Sequence, residues 1–190
     1  MASSNSRESL LRDLSGFKAG DEREQKDLEK MLEFAGSHEN AFDRRIAERH
    51  FTSSAVVVDP TRSKVLLVHH KKLNKWLQLG GHAEEGEHSG LAIALREASE
   101  ESGVPLNEFK ALNEKPFDLD IHLIPARGSE KEHHHYDLRY LLECVSPEKT
   151  QVLESESNYL KLFTWAEAKA LGLGYSLVRA LEKAKNGFKD

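Results

Sequence analysis

The segment that decides the fold runs from Gly80 to Val104 and reads GGHAEEGEHSGLAIALREASEESGV. Its second half predicts a helix over Gly90 to Ser102, because Ser89 is a preferred residue before a helix and Gly103 a preferred residue after one. Apolar residues at helical spacing predict the face that packs on the core. These residues are Leu91, Ala94, Leu95 and Ala98.

Three acids, Glu97, Glu100 and Glu101, share another face of this predicted helix. Carboxylates three or four residues apart repel one another by about 0.2–0.5 kcal/mol per pair, and the C-terminal half of a helix is the end that disfavours anions. A glutamate-rich face is usually just solvated, and Arg96 with Glu100 is an ordinary i, i+4 pair. The alternative interpretation is a site for Mg²⁺ or Mn²⁺, which prefer carboxylate, carbonyl and water oxygens.

The segment Gly81 to Val104 resembles the signature of the Nudix hydrolase family, G-x(5)-E-x(7)-R-E-U-x-E-E-x-G-U, where U is a bulky apolar residue. We call it the box. Its second half matches from Arg96 onward, with the small residue Ala98 at the first U. Its first half matches at Gly81 and Glu87 only if one residue is inserted, relative to the signature, between Glu87 and the helix. A loop tolerates such an insertion, whereas in a helix it would rotate the glutamates off their shared face.

The resemblance implies a hydrolase that cleaves a phosphoanhydride (pyrophosphate) bond in a nucleoside diphosphate linked to another group, with Mg²⁺ or Mn²⁺ as cofactor. Such a cation would neutralise the diphosphate and orient the in-line attack of water. The implied metal ligands are the Gly81 carbonyl, Glu97, Glu100 and Glu101. Arg96 is implied to orient the glutamates, and Glu97 or Glu100 is a candidate general base. Acids of distant loops are alternative bases: Glu132, Glu154 and Glu156.

The segments around the box predict an α/β fold of the α+β type. Runs with a period of two residues predict strands, and one pair of runs joined by residues 59–62 indicates a hairpin. In PFDLDIHLIPA, apolar residues alternate with polar ones, which predicts a half-buried strand. We therefore predict a mixed, largely antiparallel sheet sandwiched between helices, which is Nudix-like. Residues 1–48 are predicted to be a peripheral N-terminal helical extension, and residues 49–188 a Nudix hydrolase domain.

Polar side chains on the strands after the box are candidates for a cleft opposite the box helix. In the run His133-His134-His135, side chains alternate between faces, so at most His133 and His135 act together. No cysteine lies nearby to favour structural zinc. A solvated polar surface is the alternative for these residues, and a core position is the alternative for aromatics. The substrate-binding candidates are Trp76, His122, His133, His135, Asp137, Arg139 and Glu156.

The composition argues against several classes of protein. The chain has 190 residues, of which 38% are hydrophobic and 31% charged, and no apolar run is long enough to cross a bilayer. Arg7, Glu8 and Arg12 interrupt the apolar stretch that a secretory signal needs, so we expect a cytoplasmic location. The net charge of −5, with dispersed lysines and arginines, disfavours binding to duplex nucleic acid. The expected partner is a small-molecule nucleotide diphosphate derivative, and a homodimer is left open.

Two other functions are open within the same fold. One is a non-catalytic nucleotide-binding regulatory module, although such relatives usually carry a DNA-binding domain or a basic patch, and the sequence predicts neither. The other is an enzyme like isopentenyl-diphosphate isomerase, whose chemistry is associated with a cysteine at the reacting carbon. The single cysteine, Cys144, lies in the apolar run RYLLECV, which is typical of a buried, inert thiol.

Overall fold

The structure, a computed structural model, describes residues 6–128, 130–152 and 157–187. Its helices are α1 (Ser6–Leu14), α2 (Glu22–Ser37), α3 (Gly90–Ser102), α4 (Trp165–Lys169) and α5 (Tyr175–Asn186). Its strands are β1 (Arg49–Val58), β2 (Lys64–His70), β3 (Lys75–Leu77), β4 (Leu79–His82), β5 (Phe109–Ala111), β6 (Asp118–Ile124), β7 (His133–Cys144) and β8 (Ser157–Thr164). None of the described helices is long and apolar enough to cross a membrane.

One mixed sheet is built around the parallel pair of β1 and β7. The other strand pairings are antiparallel. Strand β4 pairs with the middle of β1, and β2 pairs with the end of β1. Strand β6 pairs with the first half of β7, and β5 pairs with the end of β7. Strands β3 and β8 extend the sheet from β2. This confirms the predicted mixed, largely antiparallel sheet.

Helices cover both faces of this sheet. Ala55 and Val57 face the hydrophobic cluster to which α1, α2 and α3 contribute, whereas Val56 and Val58 face the cluster beneath α4 and α5. Successive side chains of a strand point to opposite faces, so a strand covered on both sides is buried along its length. Strand β1 is buried from its second residue to its last. The predicted sandwich is therefore confirmed.

The N-terminal helices share this core with the sheet. Leu10 on α1 and Met31 on α2 are fully buried in the same cluster as Phe51 on β1. The peripheral position that the sequence predicts for these helices is therefore wrong. Their apolar faces cover one side of the sheet. The sequence did not predict this, because the periodicity of a helix does not show what its apolar face packs against.

Helix α2 also covers the edge strand β6. The Glu24 carboxylate accepts the N–H of Leu119 at 3.0 Å, and Asp27 accepts the N–H of Ile121 at 3.3 Å. Unpaired N–H groups on an edge strand invite pairing with another chain. Acidic side chains of the extension thus replace the hydrogen bonds of a further strand.

Buried charges join β6, β7 and α5. Arg139 is 2% exposed and donates to Asp118 at 2.9 Å and to Asp120 at 3.2 Å. Arg179 on α5 donates to Asp118 at 2.9 Å. Burial alone would raise the pKa of Asp118, but the two guanidinium groups hold it below its usual value. Both faces of β6 are therefore buried at its start, since Leu119 is also fully buried, while Leu123 near its end is 48% exposed. The half-buried pattern predicted from the sequence does not hold at the start of this strand, because arginines of β7 and α5 cover its polar side.

Candidate active site

Helix α3 begins and ends where the sequence predicts. The Ser89 hydroxyl accepts the N–H of Ala92 at 3.4 Å, and Gly103 adopts a left-handed φ of 68°. At the start of the helix, a Cβ on Gly90 would lie 2.6 Å from the Tyr140 hydroxyl oxygen. Glycine at this position lets the first turn of the helix lie directly against β7.

The core-facing side of α3 is rotated from the predicted one. Ala94 and Ala98 are fully buried as predicted, but Ile93 is also fully buried, and Leu91 and Leu95 are only partly so. The cause is the contact of Gly90, the first helical residue, with the sheet. Helical periodicity places the residues at positions 93, 94, 97, 98 and 101 on the same side as Gly90. The last of these positions is an acid of the box.

Arg96 joins the acids of the helix to the loop before it. Its Nη1 donates to Glu97 at 3.0 Å and to Glu100 at 2.9 Å. Its Nε and Nη2 donate to both carboxylate oxygens of Glu87, at 3.1 and 3.0 Å, and Nη2 also donates to the His82 carbonyl at 2.7 Å. Burial alone would lower the pKa of Arg96, but the hydrogen bond with Glu87 and the charge of Glu97 raise it. One guanidinium thus partly neutralises the crowded carboxylates.

Glu87 keeps its contact with the helix despite the extra residue in the box. Besides the paired hydrogen bonds with Arg96, its carboxylate accepts the N–H of Glu84 at 2.8 Å. The next residue, His88, places its Nδ1 2.7 Å from the Ser6 hydroxyl oxygen on α1. With the extra residue in the loop, Glu87 thus still contacts α3, and the residue after it contacts α1.

Strand β4 brings backbone groups to the acids of α3. The Gly80 N–H donates to Glu101 at 2.8 Å, and Glu101 is only 7% exposed. A Cβ on Gly81 would lie 2.6 Å from a carboxylate oxygen of Glu97. Oxygen ligands from carboxylates and a carbonyl suit Mg²⁺ or Mn²⁺. The residues that the resemblance implies as ligands therefore fit a divalent ion.

Replacing Gly81 by alanine is expected to displace the Glu97 carboxylate, because the added methyl group would overlap it. We expect metal-dependent turnover to fall on the order of 10²-fold, as for a misplacement of about 1 Å, with an unchanged circular dichroism spectrum. Gly36→Ala is the matched control, since a Cβ there meets nothing within 4 Å. Equal turnover in Gly81→Ala and the control would show that this close approach has no catalytic role.

Strands β6 and β7 place five predicted substrate-binding side chains on one face. His133, His135, Asp137 and Arg139 alternate along β7, and His122 on β6 lies opposite His135 in the register. This is the face that α5 covers, as β7 contributes Leu141 to the cluster beneath that helix. Their predicted role in binding substrate stays a prediction.

Two of these side chains lie in the interior of the protein. Asp137 is 3% exposed and accepts hydrogen bonds from the hydroxyls of Thr52 at 3.1 Å and Ser54 at 2.6 Å. Arg139 is held by carboxylates on the same face. A ligand that reached either residue would have to displace these partners.

The remaining candidates lie elsewhere or outside the described residues. Trp76 on β3 packs edge-on against Phe163, with ring centroids 4.8 Å apart, next to the hydrophobic cluster beneath α4 and α5. This is the core position that the sequence also allowed. Glu132 is exposed in the segment before β7. Glu154 and Glu156 lie outside the described residues.

Four histidines converge where β1, β4 and β7 meet. The Nε2 atom of His135 lies 3.2 Å from Nε2 of His82 and 3.1 Å from Nε2 of His133. The ring of His50, opposite His135 in the parallel register, has its centroid 5.0 Å from that of His135. The sequence predicts only the pair on β7, because strand order and register, which bring in the other two rings, cannot be deduced from it.

Three of these rings resist protonation. Burial, reinforced by the neighbouring histidines, lowers the pKa of His82 to about 4 and that of His135 to about 2. Burial also lowers the pKa of His50. The rings are therefore neutral at neutral pH, whereas in the unfolded chain each has a pKa near ~6.5.

These lowered pKa values predict a loss of stability in mild acid. Between about pH 6.5 and pH 5 the unfolded chain binds protons that the folded chain excludes, so stability is fully present above this range and falls with pH. In chelator, we expect the lowered pKa of His82 to make the free energy of unfolding about 2 kcal/mol smaller at pH 5 than at neutral pH. The measurement is urea unfolding at pH 7.5 and pH 5 for the wild type and for His82→Gln. An equal pH dependence in both proteins would contradict this expectation.

A separate cavity of about 600 Å³ opens between α2 and the ends of β1, β6 and β7. Phe34 and Tyr136 line it together with Lys30, Arg49 and His134. No residue of the box is among its lining residues. The cavity therefore belongs to the contact between the extension and the sheet.

Comparison with known protein families decides which family this fold and box belong to. The family model of the NUDIX domain matches residues 48–182. The chain belongs to the NUDIX family. The match spans the box and the strands on both sides of it. It confirms the resemblance identified from the box and, with it, the class of enzyme, a hydrolase that acts on phosphoanhydrides.

Solved NUDIX structures resemble this chain over most of its length. A NUDIX hydrolase from Clostridium perfringens is 29% identical, with a TM-score of 0.57 over 75% of this chain and 99% of that one. An Ap4A hydrolase from C. elegans is 16% identical, with a TM-score of 0.56 over 72% and 96%. The NUDIX domain of Shewanella oneidensis NrtR, solved with ADP ribose, is 18% identical, with a TM-score of 0.54 over 83% and 97%. The last two similarities show the fold alone. A search of curated proteins finds no match.

Proposed function

We propose that the chain is a Mg²⁺-dependent hydrolase, in which Mn²⁺ can replace Mg²⁺, that cleaves a nucleoside diphosphate linked to another group. Water attacks one phosphorus of the phosphoanhydride. The observation that carries the proposal is the contact of Arg96 with Glu87, Glu97 and Glu100. A solvated surface does not require one guanidinium to hold three carboxylates, whereas a cation site requires carboxylates in fixed positions.

The proposed metal ligands are the Gly81 carbonyl, Glu97, Glu100 and Glu101. A divalent ion bound there would neutralise diphosphate oxygens and lower the pKa of a water molecule. Arg96 holds the carboxylates of Glu97 and Glu100, so they need little reorganisation when substrate arrives. One of these two carboxylates accepts the proton of the attacking water.

The similar structures support a nucleotide derivative as the substrate. Ap4A and ADP ribose appear in the descriptions of two of them, and in each compound a nucleoside is joined to a further group through a chain of phosphates that contains a phosphoanhydride bond. Each compound therefore offers the bond that the proposed reaction breaks. A nucleoside diphosphate linked to a further group is the chemistry that the two have in common.

A nucleotide-binding module without catalysis is the second candidate. The NrtR domain, which resembles 83% of this chain, was solved with ADP ribose, so binding of a nucleotide derivative is what this candidate shares with the proposed hydrolase. The isomerase alternative lacks such support. Cys144 is 1% exposed, and burial raises the pKa of its thiol, so it is not placed to act at a reacting carbon.

We also propose residues 49–188 as the catalytic domain and residues 1–48 as its extension, which a family match beginning at residue 48 supports. We keep the cytoplasmic location expected from the sequence, and fractionation of expressing cells would test it. Light scattering of the full chain would decide whether it forms a homodimer.

A substrate panel tests the proposed activity. Nucleotide sugars, dinucleoside polyphosphates, ADP-ribose, nucleoside triphosphates and coenzyme A are incubated with the full chain, with Mg²⁺ or with chelator. We expect cleavage of at least one diphosphate-linked compound with Mg²⁺ and none with chelator. Tight binding without any turnover would favour the second candidate. Turnover that persists in chelator would overturn the metal requirement.

A further inference from the structure

The four converging histidines form a cluster that the hydrolase mechanism does not use. His50 and His133 are 3% and 7% exposed. One ring nitrogen from each of His50, His133 and His135 lies within 4.8 Å of the other two. Nε2 of His82 lies 3.2 Å from Nε2 of His135. Four imidazoles in contact are costly unless their ring nitrogens have partners.

Backbone contacts fix the direction of two of these rings. The Nδ1 atom of His133 lies 2.8 Å from the Lys131 carbonyl, and Nδ1 of His50 lies 3.5 Å from the Ile46 carbonyl. A carbonyl only accepts, so these contacts favour the tautomer in which Nδ1 carries the proton and Nε2 carries a lone pair. Histidines that bind metals usually donate their other ring N–H in this way.

The Nε2 lone pairs then lack protein partners. Nε2 of His50 is buried and has no hydrogen-bond partner among the described residues. Nε2 of His135 lies within 3.2 Å of both His82 and His133, yet one ring nitrogen has only one proton or one lone pair. At least one of the two contacts is therefore unsatisfied without a further group.

Two of the nitrogen–nitrogen separations in the cluster match those around a tetrahedral ion. With Zn–N bonds of about 2.0–2.1 Å, neighbouring nitrogens lie roughly 3.3 Å apart. The observed separations from Nε2 of His135 are 3.1 and 3.2 Å. Burial keeps His82 and His135 neutral, which is the form that ligates metals.

We propose that His50, His82, His133 and His135 form a second metal site that binds a late first-row divalent ion, Zn²⁺ foremost. Imidazole nitrogens suit Zn²⁺, whereas Mg²⁺ prefers oxygen, so this site and the carboxylates select different ions. Four protein ligands close the coordination sphere, as in structural zinc sites. No cysteine lies nearby, but two histidines from other strands, His50 and His82, complete the set of four ligands. On this proposal, the two histidines of β7 bind metal instead of substrate.

The two sites lie on opposite faces of β4. A Cβ on Gly81 would point at Glu97, so the next side chain, that of His82, points the other way. The His82 carbonyl meanwhile accepts from Arg96. An ion on the histidines would tie β1, β4 and β7 together beside the glycine of the proposed catalytic site.

Co²⁺ titration of the chelator-treated full chain tests the site without substrate. We expect about one equivalent of Co²⁺ to give the visible absorption of a tetrahedral site, to be displaced by Zn²⁺ and to resist excess Mg²⁺. His135→Ala and His50→Ala should abolish the absorption. His134→Ala is the matched control, since this exposed residue lies between two of the ligands on the opposite face of β7, and it should retain the absorption.

Two further measurements test whether the metal binds to the histidines and not to the carboxylates. Glu97→Gln with Glu100→Gln should retain the absorption, which separates this site from the proposed catalytic one. Zn²⁺ should raise the thermal unfolding midpoint of the wild type and His134→Ala but not of His135→Ala. If the histidine variants fail to fold, X-ray absorption of the wild type with Zn²⁺ must show imidazole scattering. Failure of the wild type to bind Co²⁺, bands retained in His135→Ala, or oxygen-only scattering would overturn the proposal.

Discussion

Replacing Glu97 and Glu100 together by glutamine is expected to lower kcat by about 10³-fold, which corresponds to roughly 4 kcal/mol of transition-state stabilisation. Glutamine keeps an oxygen that can accept from Arg96 but removes the negative charge that a divalent ion requires. The loss should appear in kcat as well as in the Mg²⁺ concentration needed for half-maximal activity. Steady-state kinetics over a range of Mg²⁺ concentrations checks both quantities.

The control for this double variant is Glu85→Gln. Glu85 is exposed in the box loop and is not among the proposed ligands, so its loss should leave kcat near the wild-type value. Unfolding in urea must show that all the proteins are equally folded. Near-normal turnover in the double variant would mean that these carboxylates do not hold the catalytic ion.

The second large effect is expected from Arg139→Met. The guanidinium of Arg139 is 3% exposed and lies within 3.3 Å of carboxylate oxygens of Asp118, Asp120 and Asp137. Methionine fills much of the same volume but leaves buried negative charges without their partner. Breaking a buried ion pair in this way costs about 3–5 kcal/mol. Urea unfolding at neutral pH measures the loss.

Arg62→Met is the matched control for this change. Its side chain is 45% exposed, and its contact with Glu143 is 3.4 Å long, so the expected loss is within about 1 kcal/mol. A loss in Arg139→Met no larger than in the control would show that the buried charges do not depend on Arg139.

The sequence predicts features that depend on neighbouring residues. The bounds of α3 follow from Ser89 and Gly103, whose hydrogen bond and backbone conformation act within one turn of the helix. The three glutamates of α3 share one helix, so their common location is also a local property. The family follows from these residues together, and the comparison confirms it.

Features that depend on strand order escape sequence reasoning. His50 lies at the start of β1 and His82 at the end of β4, with no local sign that they meet, and only the parallel register of β1 with β7 brings His50 to His135. The apolar side of β6 looks like its core face, yet Asp118 is fully buried. Its partner on α5, Arg179, lies 61 positions later in the chain, so no local pattern could have shown that the charge is neutralised.

The most direct test of the central claim is hydrolysis in water labelled with oxygen-18, with mass spectrometry of both phosphate products. A diphosphate-linked substrate identified in the panel is incubated with the full chain and Mg²⁺. The account predicts that one product carries the label on phosphorus, that chelator abolishes labelling, and that the Glu97 and Glu100 double variant loses it in proportion to kcat. Label found on carbon, or labelling that persists in chelator or in the double variant, would contradict attack of water on phosphorus at a carboxylate-held ion.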